Sequence, residues 1–188
     1  MPASTKIKLQ KDFPEVAEQI REGAIFIYPT DTIYGIGCNA LDETAVEKVR
    51  ELKRRPSNPF SIIAPSKEWI VENCIVSTEA KEWLNKLPGP YTLILKLKKK
   101  NAIAKNVNNN TENIGVRIPD HWFSEIVQQL GIPIVTTSAN LAGKPFMTSL
   151  EDLDESIEDG VDFILYEGEK KGRPSKIVNL VEGKIKER

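Results

Sequence analysis

Hydrophobic residues along this chain follow two rhythms, and the switches between them mark out alternating strands and helices. Short apolar or alternating runs at 24–28, 60–64, 91–97, 114–118, 134–138, 163–166 and 177–181 read as strands. Between them, apolar residues recur at helical spacing. Val16, Ala17 and Ile20 share one face of a first helix that Asp12 caps, Pro14 opens and Gly23 stops. Val46, Val49 and Leu52 define a second helix, opened by Asp42 or Thr44. Further helical segments fall at 66–73 and at 77–86, closed by Leu87-Pro-Gly-Pro90. A helix at 122–130 stops at Gly131, and an acidic one runs from a Ser149 cap to about Ile157. Several connections are too short for helical crossovers, which predicts an α/β fold with a mixed sheet rather than a purely parallel one.

Pro29 should end the first strand, because it offers no N–H to a ladder. The following residues pack hydroxyls and one carboxylate (Thr30, Asp31, Thr32, Tyr34) at the strand's C-terminal end, where α/β sheets tend to bind ligands. Gly35 and Gly37 read as places where the backbone turns tightly or approaches a ligand closely.

Composition narrows the class. The 188 residues, 40% apolar and 28% charged, describe a soluble globular protein, expected to form one domain over 1–188. No apolar run approaches the roughly 20 residues that span a bilayer. The first residues lack the apolar core of a signal peptide, so the expectation is a cytoplasmic protein with no membrane role and with Cys38 and Cys74 reduced. His121 is the only histidine, which leaves no multi-histidine metal site. A net charge of −1 argues against bulk attraction to nucleic acid, though it leaves room for a local basic concavity.

Polar clusters follow or sit in the expected strands: 30–34, 53–58, Arg117 and 136–140, with Ser175 before the last strands. They supply cations, hydroxyls and amides with few carboxylates, a set that suits an anion such as a phosphate or carboxylate. Neither a GxxxxGK[ST] loop nor a GxGxxG fingerprint is present. Each cluster also has a plain structural reading. Lys53 and Arg55 suit the negative end of a helix dipole. Arg117 could pair with Asp31 or Glu125. Ser138-Ala-Asn140 could form a cap with an Asx-turn. His121 suits the first turn of a surface helix, and Trp69, Trp83 and Trp122 suit core packing.

Taken in order, Tyr28-Pro-Thr-Asp-Thr-Ile-Tyr-Gly35, Lys53-Arg-Arg-Pro56, Pro88-Gly-Pro-Tyr-Thr92, Gly115-Val-Arg-Ile-Pro119 and Thr137-Ser-Ala-Asn140 resemble the YrdC family, in its short, single-domain form. The resemblance implies a twisted mixed parallel/antiparallel sheet with flanking helices and a concave basic face. It implies synthesis of threonylcarbamoyl-AMP and pyrophosphate from L-threonine, bicarbonate and ATP. That product would pass to a downstream threonylcarbamoyl transferase for the N6-threonylcarbamoyladenosine modification of tRNA. By motif, Lys53 and Arg55 would be catalytic, binding the ATP phosphates with Asn58, Ser138 and Asn140. Thr32, Arg117, Thr136 and Ser175 would form the threonine site, with Arg117 on the carboxylate. Mg²⁺ is implied by the triphosphate, with no protein ligand assigned. Two other readings share the fold: a non-catalytic module binding tRNA or double-stranded RNA, and a nucleotide-binding regulatory paralogue. The turn Arg55-Pro-Ser-Asn-Pro59 is one residue shorter than the family's common form, and Phe146 stands where many relatives carry a small hydroxyl residue.

Overall fold

Side-chain alternation decides how this protein is layered. In the computed structural model, which describes residues 3–4 and 6–186 with side chains over 13–186, the sheet's core strands send successive residues to opposite faces. β1 (Ala3–Ser4), β2 (Phe26–Tyr28), β3 (Gly35–Gly37), β4 (Ser61–Ile63), β5 (Cys74–Ile75) and β6 (Tyr91–Leu97) come from the first half. β7 (Asn113–Arg117), β8 (Ile134–Ser138), β9 (Phe163–Leu165), β10 (Lys176–Asn179) and β11 (Lys184–Lys186) come from the second. They join in the order β1-β9-β2-β3-β8-β4-β7-β6-β10-β11, with β5 paired to β6. The sheet is mixed, as expected: β2 pairs β9 and β4 pairs β7 in parallel, whereas β8 runs antiparallel to both β3 and β4.

Ile27, Ile36, Ile62, Val116, Val135 and Ile164 point to one face. There they pack on α2 (Glu43–Leu52), α3 (Lys67–Asn73) and α4 (Thr78–Asn85). Their immediate neighbours Phe26, Tyr28, Ile63, Ile134 and Leu165 point to the other face, under α1 (Lys6–Arg21) and α5 (Phe123–Leu130). This second core stops partway across the sheet. Beyond it the same face carries Gly35, Ser61, Thr92, Thr136 and Ser138, which line a cavity instead.

Some elements differ from the sequence-based expectation. α1 starts at Lys6, well before Pro14, and Pro14 lies inside it. The Lys-, Leu- and Gln-bearing residues ahead of it favour helix, and a proline there costs essentially one ladder bond and local crowding. The acidic helix from Ser149 is two pieces. Ser149 caps a single 3₁₀ turn, Leu150–Asp152, and Asp154 separately caps α6 (Glu155–Asp159) by accepting from the Ser156 N–H. Gly35 and Gly37 do not turn the chain at all. They form β3, and their missing side chains admit the Tyr28 ring: a Cβ on Gly37 would lie 2.7 Å from that ring and 2.9 Å from Val135 O. The strands not anticipated, β1, β3, β5 and β11, are all two or three residues long.

Candidate active site

The polar end of the second sheet face is built from strand ends and the segments that follow them. Thr30 closes the turn after β2. Its Oγ1 donates to Ile33 O at 2.8 Å and accepts from the Thr32 and Ile33 N–H groups. That turn presents Asp31 to Arg117 at the end of β7. Arg117 Nη2 donates to Asp31 Oδ1 at 2.7 Å, and both side chains are nearly buried, 7% and 10% exposed. Asp31 Oδ2 accepts the Asp120 N–H at 3.0 Å, so the carboxylate is held on both oxygens. Burial lowers the Arg117 pKa, and the Asp31 charge opposes that shift. Of the two structural partners the sequence allowed, Asp31 is the one observed. Yet the pair uses only one nitrogen of the guanidinium: Nε is buried with no partner, and the residue lines the cavity.

That cavity, about 180 Å³, is floored by Ser61, Thr136 and Ser138 on neighbouring strands and walled by Tyr34 and Phe146. Thr92 and Ser175 meet at one side, their hydroxyl oxygens 2.7 Å apart. Thr137 Oγ1 nearby is buried and unpartnered. The sequence-predicted Arg117, Thr136, Ser138 and Ser175 therefore converge. Thr32 does not line this cavity. Its hydroxyl sits 2.9 Å from Thr30 Oγ1 and 3.4 Å from Arg117 Nη2, and it faces a second cavity of about 440 Å³ with Asp31 and Arg173. Pro174 touches both spaces.

A third cavity, about 610 Å³, continues beyond Phe146 and takes in Asn140 and Lys144. Lys53 underlies it. At the end of α2, its ammonium donates to Ser138 O, to Asn140 O at 2.6 Å and to Asn140 Oδ1 at 3.1 Å. Three acceptors use all three of its protons, so Lys53 organises the 138–140 segment from beneath rather than reaching into open space. Burial, then the Arg55 charge, lowers its pKa to about 7, against the pull of those oxygens toward the charged form. Ser138 Oγ donates to Asn140 Oδ1 at 2.5 Å, and Asn140 Nδ2 donates to Lys144 O. Arg55 donates to Pro59 O at 3.1 Å and keeps an unpartnered Nε. Asn58 is exposed, and neither it nor Arg55 lines the three cavities.

The segment 166–175 crosses the site as a strap. Tyr34 OH donates to Gly168 O at 2.6 Å and accepts the Glu167 N–H at 3.1 Å. Lys170 Nζ reaches Thr30 O at 2.9 Å. Gly172 lies so close to the turn that a Cβ there would sit 2.0 Å from Thr32 O. Glu167 gathers the strap's anchors: His121 Nε2 at 2.9 Å, Trp122 Nε1 at 2.6 Å, and Lys170 Nζ. His121 Nδ1 accepts the Phe123 N–H, which puts the ring proton on Nε2 and points it at Glu167. His121 is therefore part of a clasp, not simply the first turn of a surface helix. The sequence places Thr30 and Tyr34 in the polar turn at the ligand-binding end without an individual role for either, and it gives Ser61, Thr92 and Glu167 no site role.

A mixed sheet whose polar corner pairs a half-free buried arginine with hydroxyls, beside a buried lysine, has the chemistry that suits small anionic ligands. Comparison with known proteins specifies the class. The Sua5/YciO/YrdC family model, described as "Telomere recombination", matches residues 18–187, and the chain belongs to this family. A Methanocaldococcus jannaschii protein provisionally named threonylcarbamoyl-AMP synthase is 41% identical over 172 residues, covering 89% of this chain and 80% of that protein. The threonylcarbamoyl-AMP synthase of Vibrio campbellii is 33% identical, covering 89% of this chain and 93% of its own. The crystal structure of Pyrococcus abyssi Sua5 complexed with L-threonine matches with a TM-score of 0.85 at 32% identity, over 97% of this chain. The chain spans about half, 55%, of that larger protein.

Proposed function

We propose that the protein is a threonylcarbamoyl-AMP synthase, joining L-threonine, bicarbonate and ATP with release of pyrophosphate. One observation carries the reading. Arg117 is buried at the cavity, tied to Asp31 through Nη2 alone, and keeps a buried Nε with no partner. A planar donor held this way suits a carboxylate. In this reading Arg117 takes the threonine carboxylate, while Thr136, Ser175 and Thr92 surround the rest of the amino acid. Thr32 acts from behind, through Arg117 and the turn. Threonine's amine and bicarbonate give a carbamate with loss of water; a carbamate oxygen then attacks the α-phosphorus, and pyrophosphate departs. The protein's part is positioning and charge stabilisation.

The triphosphate is assigned to the side of Asn140, Ser138 and the 53–59 turn. Among the described residues no hydrogen bond or ion pair joins Lys53 or Arg55 to a carboxylate, so an arriving polyanion meets uncompensated positive charge. Mg²⁺ would come with the nucleotide. The described residues include no group of three or more His, Cys, Asp or Glu side chains that could hold a metal ion, and Asp31 is engaged on both oxygens, so the ion would be held chiefly by phosphate oxygens and water. No step is assigned to it. No helix among the described residues is long and apolar enough to cross a membrane, and we place the activity in the cytoplasm, feeding a tRNA threonylcarbamoyl transferase.

Incubation with ATP, bicarbonate and Mg²⁺ should release pyrophosphate only when L-threonine is added. Release that ignores threonine, or none at high enzyme concentration, refutes the assignment. Salt-sensitive tRNA binding without pyrophosphate would instead mark a non-catalytic RNA-binding module.

A further inference from the structure

Arg50 lies on α2 one turn before Lys53, and it is 3% exposed. Its guanidinium makes five hydrogen bonds, all to backbone carbonyls. Nε and Nη2 donate to Asn106 O at 3.0 and 2.5 Å, and Nη2 also to Val107 O at 3.2 Å. Nη1 donates to Arg55 O at 3.1 Å and to Asn58 O at 3.0 Å. Its carbon centre lies 4.5 Å from the Phe60 ring centroid. Among the described residues no carboxylate forms an ion pair with it.

Burying a cation is unfavourable unless it is well hydrogen-bonded, and an apolar side chain of similar volume could fill the same space. Packing alone therefore does not account for an arginine here. What the guanidinium does that an apolar side chain cannot is tie two separate loops together. One loop carries Asn106 and Val107. The other is the turn that carries Arg55 and Asn58, and the arginine grips it at both ends, by the carbonyls of those two residues. Phe60, just after the turn, is joined to the same loop by its N–H to Val107 O at 2.8 Å.

We propose that Arg50 is a positioning residue for the nucleotide: by holding the carbonyls of Arg55 and Asn58 against the 106–107 loop, it fixes the spacing at which those two residues meet the triphosphate. This rests on the reading of the 53–59 turn as the triphosphate's seat. Arg50 touches no substrate. A lysine cannot replace it, because one ammonium cannot serve carbonyls on two loops in a planar array.

The test compares Arg50→Lys and Arg50→Met with the unaltered protein by steady-state kinetics and by direct ATP binding without threonine. Both variants should raise the KM for ATP by about tenfold or more, a displaced turn being enough to do so. The KM for threonine should stay within about twofold, since the inner cavity is built from other strands. Equal rises in the two constants, or an unchanged KM for ATP, overturn the proposal. If Arg50→Met does not fold, Arg50→Lys, which retains the stem and the charge, carries the comparison. Should the unaltered protein bind ATP yet release no threonine-dependent pyrophosphate, the synthase reading falls and ATP affinity alone judges Arg50: loss in the variants supports it, equal affinity overturns it. If the unaltered protein binds no ATP, both fall.

Discussion

Arg117 Nη2 and Asp31 Oδ1 sit 2.7 Å apart with almost no solvent around them, and the pair links the end of β7 to the turn after β2. Removing one member leaves the other charged and buried, a loss of about 3–5 kcal/mol. The two losses should differ in kind. Arg117→Ala takes away the carboxylate receptor, so threonine affinity should fall by about a hundredfold or more. Asp31→Asn keeps the guanidinium but unties it, so stability should fall while some threonine binding persists. Calorimetric titration with threonine, alongside urea unfolding, separates the two. Near-normal threonine affinity in Arg117→Ala would remove this residue from the site.

Lys53 supplies a pH dependence. Its pKa is lowered to about 7, so the folded protein holds the ammonium below that pH and loses it above. The charged form anchors Ser138 and Asn140 and favours a polyanion. ATP affinity should therefore be highest at or below about pH 7 and weaken as pH rises through it, with bound nucleotide pulling the midpoint upward. A titration from pH 6 to 9 with a non-hydrolysable ATP analogue reads this. In Lys53→Met the weaker affinity should be flat over the same range, apart from titration of the nucleotide itself. A slope that survives in the variant assigns the effect elsewhere.

Much of this fold is legible in the chain, and the exceptions have physical causes. Strand alternation such as Ile62 against Ile63 places the two cores, and the bounds of β6 coincide with the apolar run 91–97. β3 is hidden because two of its three residues are glycines, which are depleted in strands; it is held by its ladders to β2 and β8, and the glycines leave room for the Tyr28 ring. The acidic helix is mistaken because Ser149 and Asp154 each start their own turn. In the site, Arg117 stands out as a cation in an apolar strand, whereas Ser61 and Thr92 pass for ordinary strand residues until the register brings them together. Two of Glu167's three partners, Trp122 and His121, lie 45 and 46 positions away, beyond any local pattern.

Glu167 should govern acid stability. Burial works against its carboxylate, but hydrogen bonds from Lys170, Trp122 and His121 prevail and hold its pKa at about 2. A depressed carboxylate stabilises the folded state above its unfolded pKa, near 4.3, and that contribution is lost as pH falls toward the folded value. Glu167→Gln should accordingly cost roughly 1.5–3 kcal/mol at pH 6, the range for hydrogen bonds to a charged group. The deficit should shrink between about pH 4 and 2. Urea unfolding at several pH values measures it; a deficit constant with pH would mean the clasp is held by shape rather than by charge.

The strap offers the sharpest steric test. Gly172 has no side chain, and a methyl group there would meet Thr32 O at 2.0 Å and Thr32 C at 2.8 Å. Both are backbone atoms of a turn pinned by Thr30, so the turn cannot yield and the strap must lift. Lifting it stretches the Lys170 bond to Thr30 O and the Tyr34 bond to Gly168 O, and it carries Ser175 away from Thr92. Neither hydrophobic core includes strap residues beyond Tyr166, so Gly172→Ala should leave the sheet and its helices folded. Threonine affinity should drop by about tenfold, as expected when a cavity wall moves by an ångström or so. Hydrogen exchange should rise in 167–175 while the amides of β4 and β8 stay protected. Unchanged threonine affinity together with a lifted strap would show that this segment covers the site without shaping it.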